Sequence, residues 1–112
     1  MKIDITATKL DLTPSIKKYV SEKLAILGRM VAPHEKEGER TVFVEIARST
    51  KHHKHGDVFY AEATLGFPGK TIRAEHFDSD IRIAISEMRD ILREEIKKYK
   101  EKAEVKIQRK RK

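Results

Sequence analysis

Three histidines within four residues, His52, His53 and His55, are the side chains best spaced to do chemistry. Such a set could hold a soft divalent metal, or gain positive charge toward a polyanion as pH falls. No thiolate can complete a zinc site, because the chain has no cysteine, and no carboxylate stands among the three imidazoles. A hydrophilic turn is the better reading, and no metal site is expected. Gly69-Lys70-Thr71 has the ending of a phosphate-binding loop. The glycine required five positions earlier is Thr64, however, and a strand pattern follows where a helix is needed. Gly66-Phe67-Pro68-Gly69 mimics the GXXG clamp of KH domains but joins two strands, so a hairpin turn is expected. Asp78 and Asp80 resemble paired carboxylates, yet both fall at a helix start, where the helix dipole accounts for them. His76 ends a strand with no nucleophile or acid beside it. The sequence argues for no enzyme, no cofactor and no small-molecule substrate.

Charge is more informative. The formal net charge is +7, and residues 97–112 account for all of it, with nine Lys/Arg against Glu101 and Glu104. The rest of the chain is balanced, with 16 bases and 16 acids. Charge gathered at one end makes a directed field, and its usual receiver is nucleic acid or an anionic membrane. On a helix at about 100° per residue, Arg82, Arg89, Arg93, Lys97 and Lys100 fall within an arc of roughly 80°. That arc borders the apolar stripe, with Asp90, Glu94 and Glu101 beyond it. A line of cations about one turn apart can follow phosphates along an RNA ridge, and arginine adds forked donation and stacking. An ordinary solvated face with i,i+4 pairs is the competing account of the stripe alone. The basic tail continuing from the same helix favours nucleic acid.

The elements that must position these cations follow from periodicity. Met1 to Ala7 alternates apolar and polar residues, as a half-buried strand does. Thr13-Pro14 starts a helix, Ile16, Val20, Leu24 and Leu27 form its apolar stripe, and Gly28 is placed to close it. Residues 31–40 read as a surface loop. Val42, Val44 and Ile46 alternate in a second strand, and Phe59, Ala61, Ala63, Leu65 and Phe67 in a third. Pro68-Gly69 connects to a fourth strand, Lys70 to His76, with Ile72 and Ala74 inward. Asp78 or Ser79 can cap a long last helix carrying Ile81, Ile85, Met88, Leu92, Ile96 and Tyr99 on one face. The expected fold is α+β in the order β-α-β-β-β-α: an antiparallel four-stranded meander with two helices packed on one face. Residues 1–104 form the one domain, and the basic tail 105–112 has too few apolar groups to pack and is expected to be flexible. No apolar run approaches the ~20 residues of a membrane span, and no signal-peptide core is seen, so a soluble cytoplasmic protein is expected.

The pattern Ile5-Thr6, Leu12-Thr13-Pro14-Ser15-Ile16, Tyr19-Val20 and Lys23-Leu24-Ala25 closely resembles the opening of the ribosome hibernation-promoting factor family. That family includes the ribosome-associated inhibitor and was formerly labelled sigma-54 modulation protein. Ala61-Glu62-Ala63-Thr64-Leu65, Asp80-Ile81, Ala84-Ile85 and the Lys-rich end extend the resemblance over residues 1 to about 102. It implies the same fold, similar in shape to double-stranded-RNA-binding domains. It further implies a translation inhibitor lodged in the messenger and transfer RNA channel of the small ribosomal subunit. Such a protein keeps ribosomes idle during stress or stationary phase, without catalysis, as a steric plug gripping ribosomal RNA. Lys23 and Arg29 on the first helix and Arg93, Lys97 and Lys98 on the second match basic sites of the family. Arg89, Lys100 and Lys102 join that basic region by helical position. Arg82 stands where the family often has tyrosine, and Ile26 where it often has lysine.

The resemblance also implies a monomer off the ribosome that lacks the dimerisation domain of long members, and hence silences single ribosomes without pairing them. Two other readings remain: a general structured-RNA-binding module, and a regulatory adaptor binding an acidic protein. Attachment to an anionic membrane is disfavoured because the sheet needs the apolar face of the last helix.

Overall fold

The computed structural model describes residues 1–49 and 58–110, the last seven as backbone. The elements are β1 (Lys2–Thr8), α1 (Pro14–Val31), a 3-10 turn (Ala32–His34), β2 (Thr41–Ser49), β3 (Val58–Phe67), β4 (Lys70–Asp78) and α2 (Ile81–Lys110). The fold is the expected α+β arrangement, with strand order β1-β2-β3-β4 and both helices over one face. The histidines at 52, 53 and 55 lie outside the described residues.

Alternation in the strands sets which face is covered. Three cross-strand rows point inward: Ile3–Val42–Leu65–Ile72, Ile5–Val44–Ala63–Ala74 and Ala7–Ile46–Ala61–His76. The rows place alanines near the middle of the sheet, which leaves room for helix side chains to approach it. Val20, Leu24, Leu27 and Val31 of α1 and Ala84, Ile85, Met88, Leu92 and Ile96 of α2 complete the buried core.

Strand direction differs from expectation in one place. β2, β3 and β4 form the antiparallel meander, but β1 runs parallel to β2. The connection between them contains α1, and a helix crossing the sheet returns the chain to the end where the first strand began. Helix α1 begins as expected: the Thr13 hydroxyl accepts the Ile16 N–H at 3.2 Å, and Pro14 takes the first helical position. It does not end at Gly28. A mid-helix glycine costs about 1 kcal/mol against alanine. Burying Val31 on the stripe of Val20, Leu24 and Leu27 returns about 1.5–3 kcal/mol, so the helix continues. Of the expected 31–40 loop, Val31 is therefore core and Ala32–His34 is a 3-10 turn. Glu35 fixes the remainder, accepting the Arg40 N–H at 2.8 Å and pairing with the N-terminal ammonium at 3.2 Å.

The Pro68-Gly69 connection is a two-residue hairpin between Phe67 and Lys70, and Gly69 takes the positive φ of 73° that a type II turn requires. At the start of α2 the cap is Asp80. Its carboxylate accepts the Arg82 N–H at 2.8 Å and its carbonyl accepts the Ala84 N–H, while Asp78 accepts the Asp80 N–H in a preceding turn. Capping thus falls one or two residues later than expected. Thirty residues make α2 about 45 Å long, against about 30 Å for a nine-residue strand. Its backbone stays helical to Lys110, past residue 104, where composition pointed to a flexible tail. Lysine, arginine and glutamine are good helix formers, and cations near a helix C-terminus favour the dipole.

Candidate nucleic-acid interface

The two helices lie side by side and run in the same direction, because Ser15 and Tyr19 meet Arg82, Lys23 meets Arg89, and His34 meets Tyr99. Three of the sequence-selected cations gather on the seam between them. The Arg82 guanidinium lies over the Tyr19 ring at 4.8 Å and donates to the Ser15 hydroxyl at 3.0 Å. The ammonium of Lys23 lies 5.4 Å from the centre of the same ring. The Tyr19 hydroxyl donates to the Arg82 carbonyl at 3.2 Å, which fixes the ring that both cations share. Arg89 donates to the Lys23 carbonyl at 3.3 Å and to Asp90 at 2.7 Å, and its side chain is only 20% exposed. Arg89 is therefore as much a latch between helices as an outward charge.

Farther along, Arg93 is exposed and makes no ion pair among the described residues, and the same holds for Arg29 at the end of α1. Lys97 pairs with Glu94 at 3.8 Å and Lys98 with Glu95 at 3.3 Å, both one turn apart on the helix surface. Exposed pairs of this kind contribute about 0.2–0.5 kcal/mol each, so either lysine can exchange its glutamate for a phosphate at small cost. Lys100 stands near His34. Burial first, then the positive charges of Lys100 and Arg40, hold that imidazole below its ordinary value.

The nine sequence-selected cations do not form one surface. Lys98 and Lys102 lie on the opposite flank of α2, where they line a cleft with Lys70 at the β3–β4 turn. Lys70, set aside in the sequence because its loop lacks a phosphate-binding pattern, thus joins the basic region. The clasp that Ser15 and Tyr19 together make on Arg82 carries no sequence motif. Its only sequence signal is the helical spacing of positions 15 and 19.

The chain matches the family described as Sigma 54 modulation protein / S30EA ribosomal protein over residues 3–104. It belongs to that family. Among curated relatives, the ribosome-associated factor Y of Haemophilus influenzae is 29% identical over 108 residues, covering 93% of this chain and 87% of the relative. The ribosome hibernation promoting factor of Acidithiobacillus ferridurans is 34% identical over 85 residues, covering 76% of this chain and 99% of the relative. The solved N-terminal domain of Thermus thermophilus Protein Y is 29% identical with a TM-score of 0.69, covering 88% of this chain and 99% of that one. A ribosomal subunit interface protein from Coxiella burnetii, at 19% identity and a TM-score of 0.67, covers 89% of this chain and 98% of its own, and shares the fold. The S30EA match takes in the four strands, α1 and α2 as far as residue 104, so the seam and the cleft both fall inside it.

The uncovered face of the sheet has a different character. Tyr60 donates its single hydroxyl proton between Glu62 and Glu75, at 2.5 and 2.7 Å, and Arg73 bridges both carboxylates at 2.9 and 3.3 Å. Burial, then the two glutamates, pushes the Tyr60 phenol well above its ordinary value, while Arg73 and Tyr60 hold the Glu62 carboxyl below its own. A phenol that releases its proton so reluctantly is poorly suited to act as a base or nucleophile. Phe43 and Phe77 are exposed on the same face.

Proposed function

We propose that this protein binds the small ribosomal subunit through its ribosomal RNA, occupies the messenger and transfer RNA channel, and keeps ribosomes idle during stress or stationary phase. It acts in the cytoplasm as a plug, with no catalytic step and no cofactor. One observation carries the reading: two parallel helices hold Lys23, Arg82 and Arg89 along one seam, and Arg93 and Lys97 continue that line outward. A fixed row of cations about a turn apart suits phosphates that recur along a folded RNA. The names of the relatives, a ribosome-associated factor and a hibernation promoting factor, support the same partner.

Co-sedimentation with ribosomes at two salt concentrations tests it. If about seven phosphates are contacted, log affinity falls with log salt at a slope of roughly −5 to −6. Reversing Arg89, Arg93 and Lys97 together should abolish association. Binding that survives the triple change would make the stripe a solvated face. Equal affinity for any RNA duplex would favour a general RNA-binding module, and capture of an acidic protein without RNA a regulatory adaptor.

A further inference from the structure

The flank of α2 turned away from α1 opens onto a cleft of about 330 Å³ beside the β3–β4 turn. Lys98 and Lys102, one helical turn apart, stand on one side of it and Lys70 on the other, with Pro68 and Tyr99 as apolar lining. Tyr99 is held in place by stacking on Phe67, with ring centroids 4.4 Å apart. The turn itself is open, since nothing lies within 4 Å of where a side chain on Gly69 would begin. Glu95 is the one carboxylate in the lining. It is occupied by Lys98 at 3.3 Å, in an exposed pair that contributes little and is easily exchanged.

We infer, on the ribosomal-RNA reading above, that this cleft takes a phosphodiester of a second, single-stranded RNA segment, separate from the one on the α1–α2 seam. Three lysines against one glutamate favour an anion. Ammonium groups satisfy phosphate oxygens as point charges, without the forked geometry of arginine on the seam. Pro68 and the fixed Tyr99 ring offer a ribose or base an apolar surface, as single-strand sites do. The volume lies at the small end of the ~300–1,000 Å³ that ligand pockets span, which suits one nucleotide and not the width of a duplex. The two tracks are separated by α2 itself, about 10–12 Å across with its side chains. The helix is thus a wedge held between two strands.

The test combines a short probe with the ribosome. In wild-type protein, a uridine hexanucleotide should shift the amide resonances of Gly69, Lys70 and Ala103. The K70E/K102E variant changes two exposed side chains and should keep the wild-type circular dichroism, lose those shifts, and associate with ribosomes less steeply in salt. The slope should become shallower by about 1.4, for two single-strand contacts at ~0.7 each. A K2E/K17E control, at lysines that line neither the cleft nor the seam contacts, should leave both readouts unchanged. The proposal is overturned if the hexanucleotide moves no amide around the cleft, or if K70E/K102E keeps the wild-type slope. It is also overturned if a hexaglutamate peptide at equal concentration shifts the cleft more than the RNA does. The ribosome reading fails separately, through continued association of the R89E/R93E/K97E variant.

Discussion

Arg82 and Tyr19 hold each other across the two helices: the guanidinium covers the ring at 4.8 Å while the phenol hydroxyl donates to the Arg82 carbonyl at 3.2 Å. The ring is half-buried against the core, so it supports the seam and displays its charge together. Replacing Tyr19 with phenylalanine removes one exposed hydrogen bond and should cost less than about 1 kcal/mol in urea unfolding. Tyr19→Ala removes ring, packing and cation–π contacts, and should cost about 1–3 kcal/mol. It should also weaken ribosome association beyond what the stability loss explains, because Arg82 and Lys23 lose their shared support.

Arg89 and Arg93 are neighbours on one stripe with different duties. Arg93→Glu should weaken association strongly while leaving the free energy of urea unfolding within about 0.5 kcal/mol of wild type, as exposed positions do. Arg89→Glu should weaken association and also destabilise the fold by about 1–3 kcal/mol, because the Lys23 carbonyl loses its donor and a carboxylate is placed beside Asp90. Equal stability of the two variants would show that Arg89 is no latch.

His34 makes the end of the core sensitive to mild acid. Its ring packs edge-on against Phe67 at 5.4 Å and Tyr99 at 5.5 Å, and the folded state resists its protonation. A histidine whose value is lowered by folding stabilises fully above its unfolded value, near pH 6.5, and that stability fades as pH falls through the folded value. The melting temperature should decline below about pH 6.5. His34→Gln should melt lower overall but with a flatter profile between about pH 6.5 and 5.

On the open sheet face, Arg73 keeps Glu62 and Glu75 tolerable as direct cross-strand neighbours. Like charges placed opposite one another repel. Arg73→Ala should therefore destabilise the protein at neutral pH. The Glu62 carboxyl is held below its ordinary 4.5 chiefly by Arg73, so this stabilisation is whole above that value and is lost as pH falls below it. The difference between variant and wild type in urea midpoint should shrink from pH 7 to pH 3.

Much of this architecture was legible because burial repeats at short intervals. The alternation of Val42, Val44 and Ile46 and the stripe of Ile85, Met88, Leu92 and Ile96 report their own environment, and the structure buries them all. What was not legible depends on residues distant in sequence. Gly28 is a local stop signal that the burial of Val31 overrides. The direction of β1 depends on where α1 delivers the chain. The basic region divides because Lys98 and Lys102 lie across the apolar stripe from Arg89 and Arg93. Which flank meets α1, and which meets the β3–β4 turn, is decided by packing. Ser15, Tyr19 and Arg82 are brought together across 63 and 67 residues of chain, a separation that no periodicity reveals.

Among the described side chains, the last fully buried residue of α2 is Ile96, fourteen positions before the helix ends at Lys110. The lysines at 97, 98, 100 and 102 thus follow the last core-filling turn of the rod. Past Ile96, Tyr99 still stacks on Phe67, while Lys97, Lys98 and Lys102 are exposed. On the proposed reading, recharging Lys98 and Lys102 should alter the grip on a polyanion while the melting point stays nearly still.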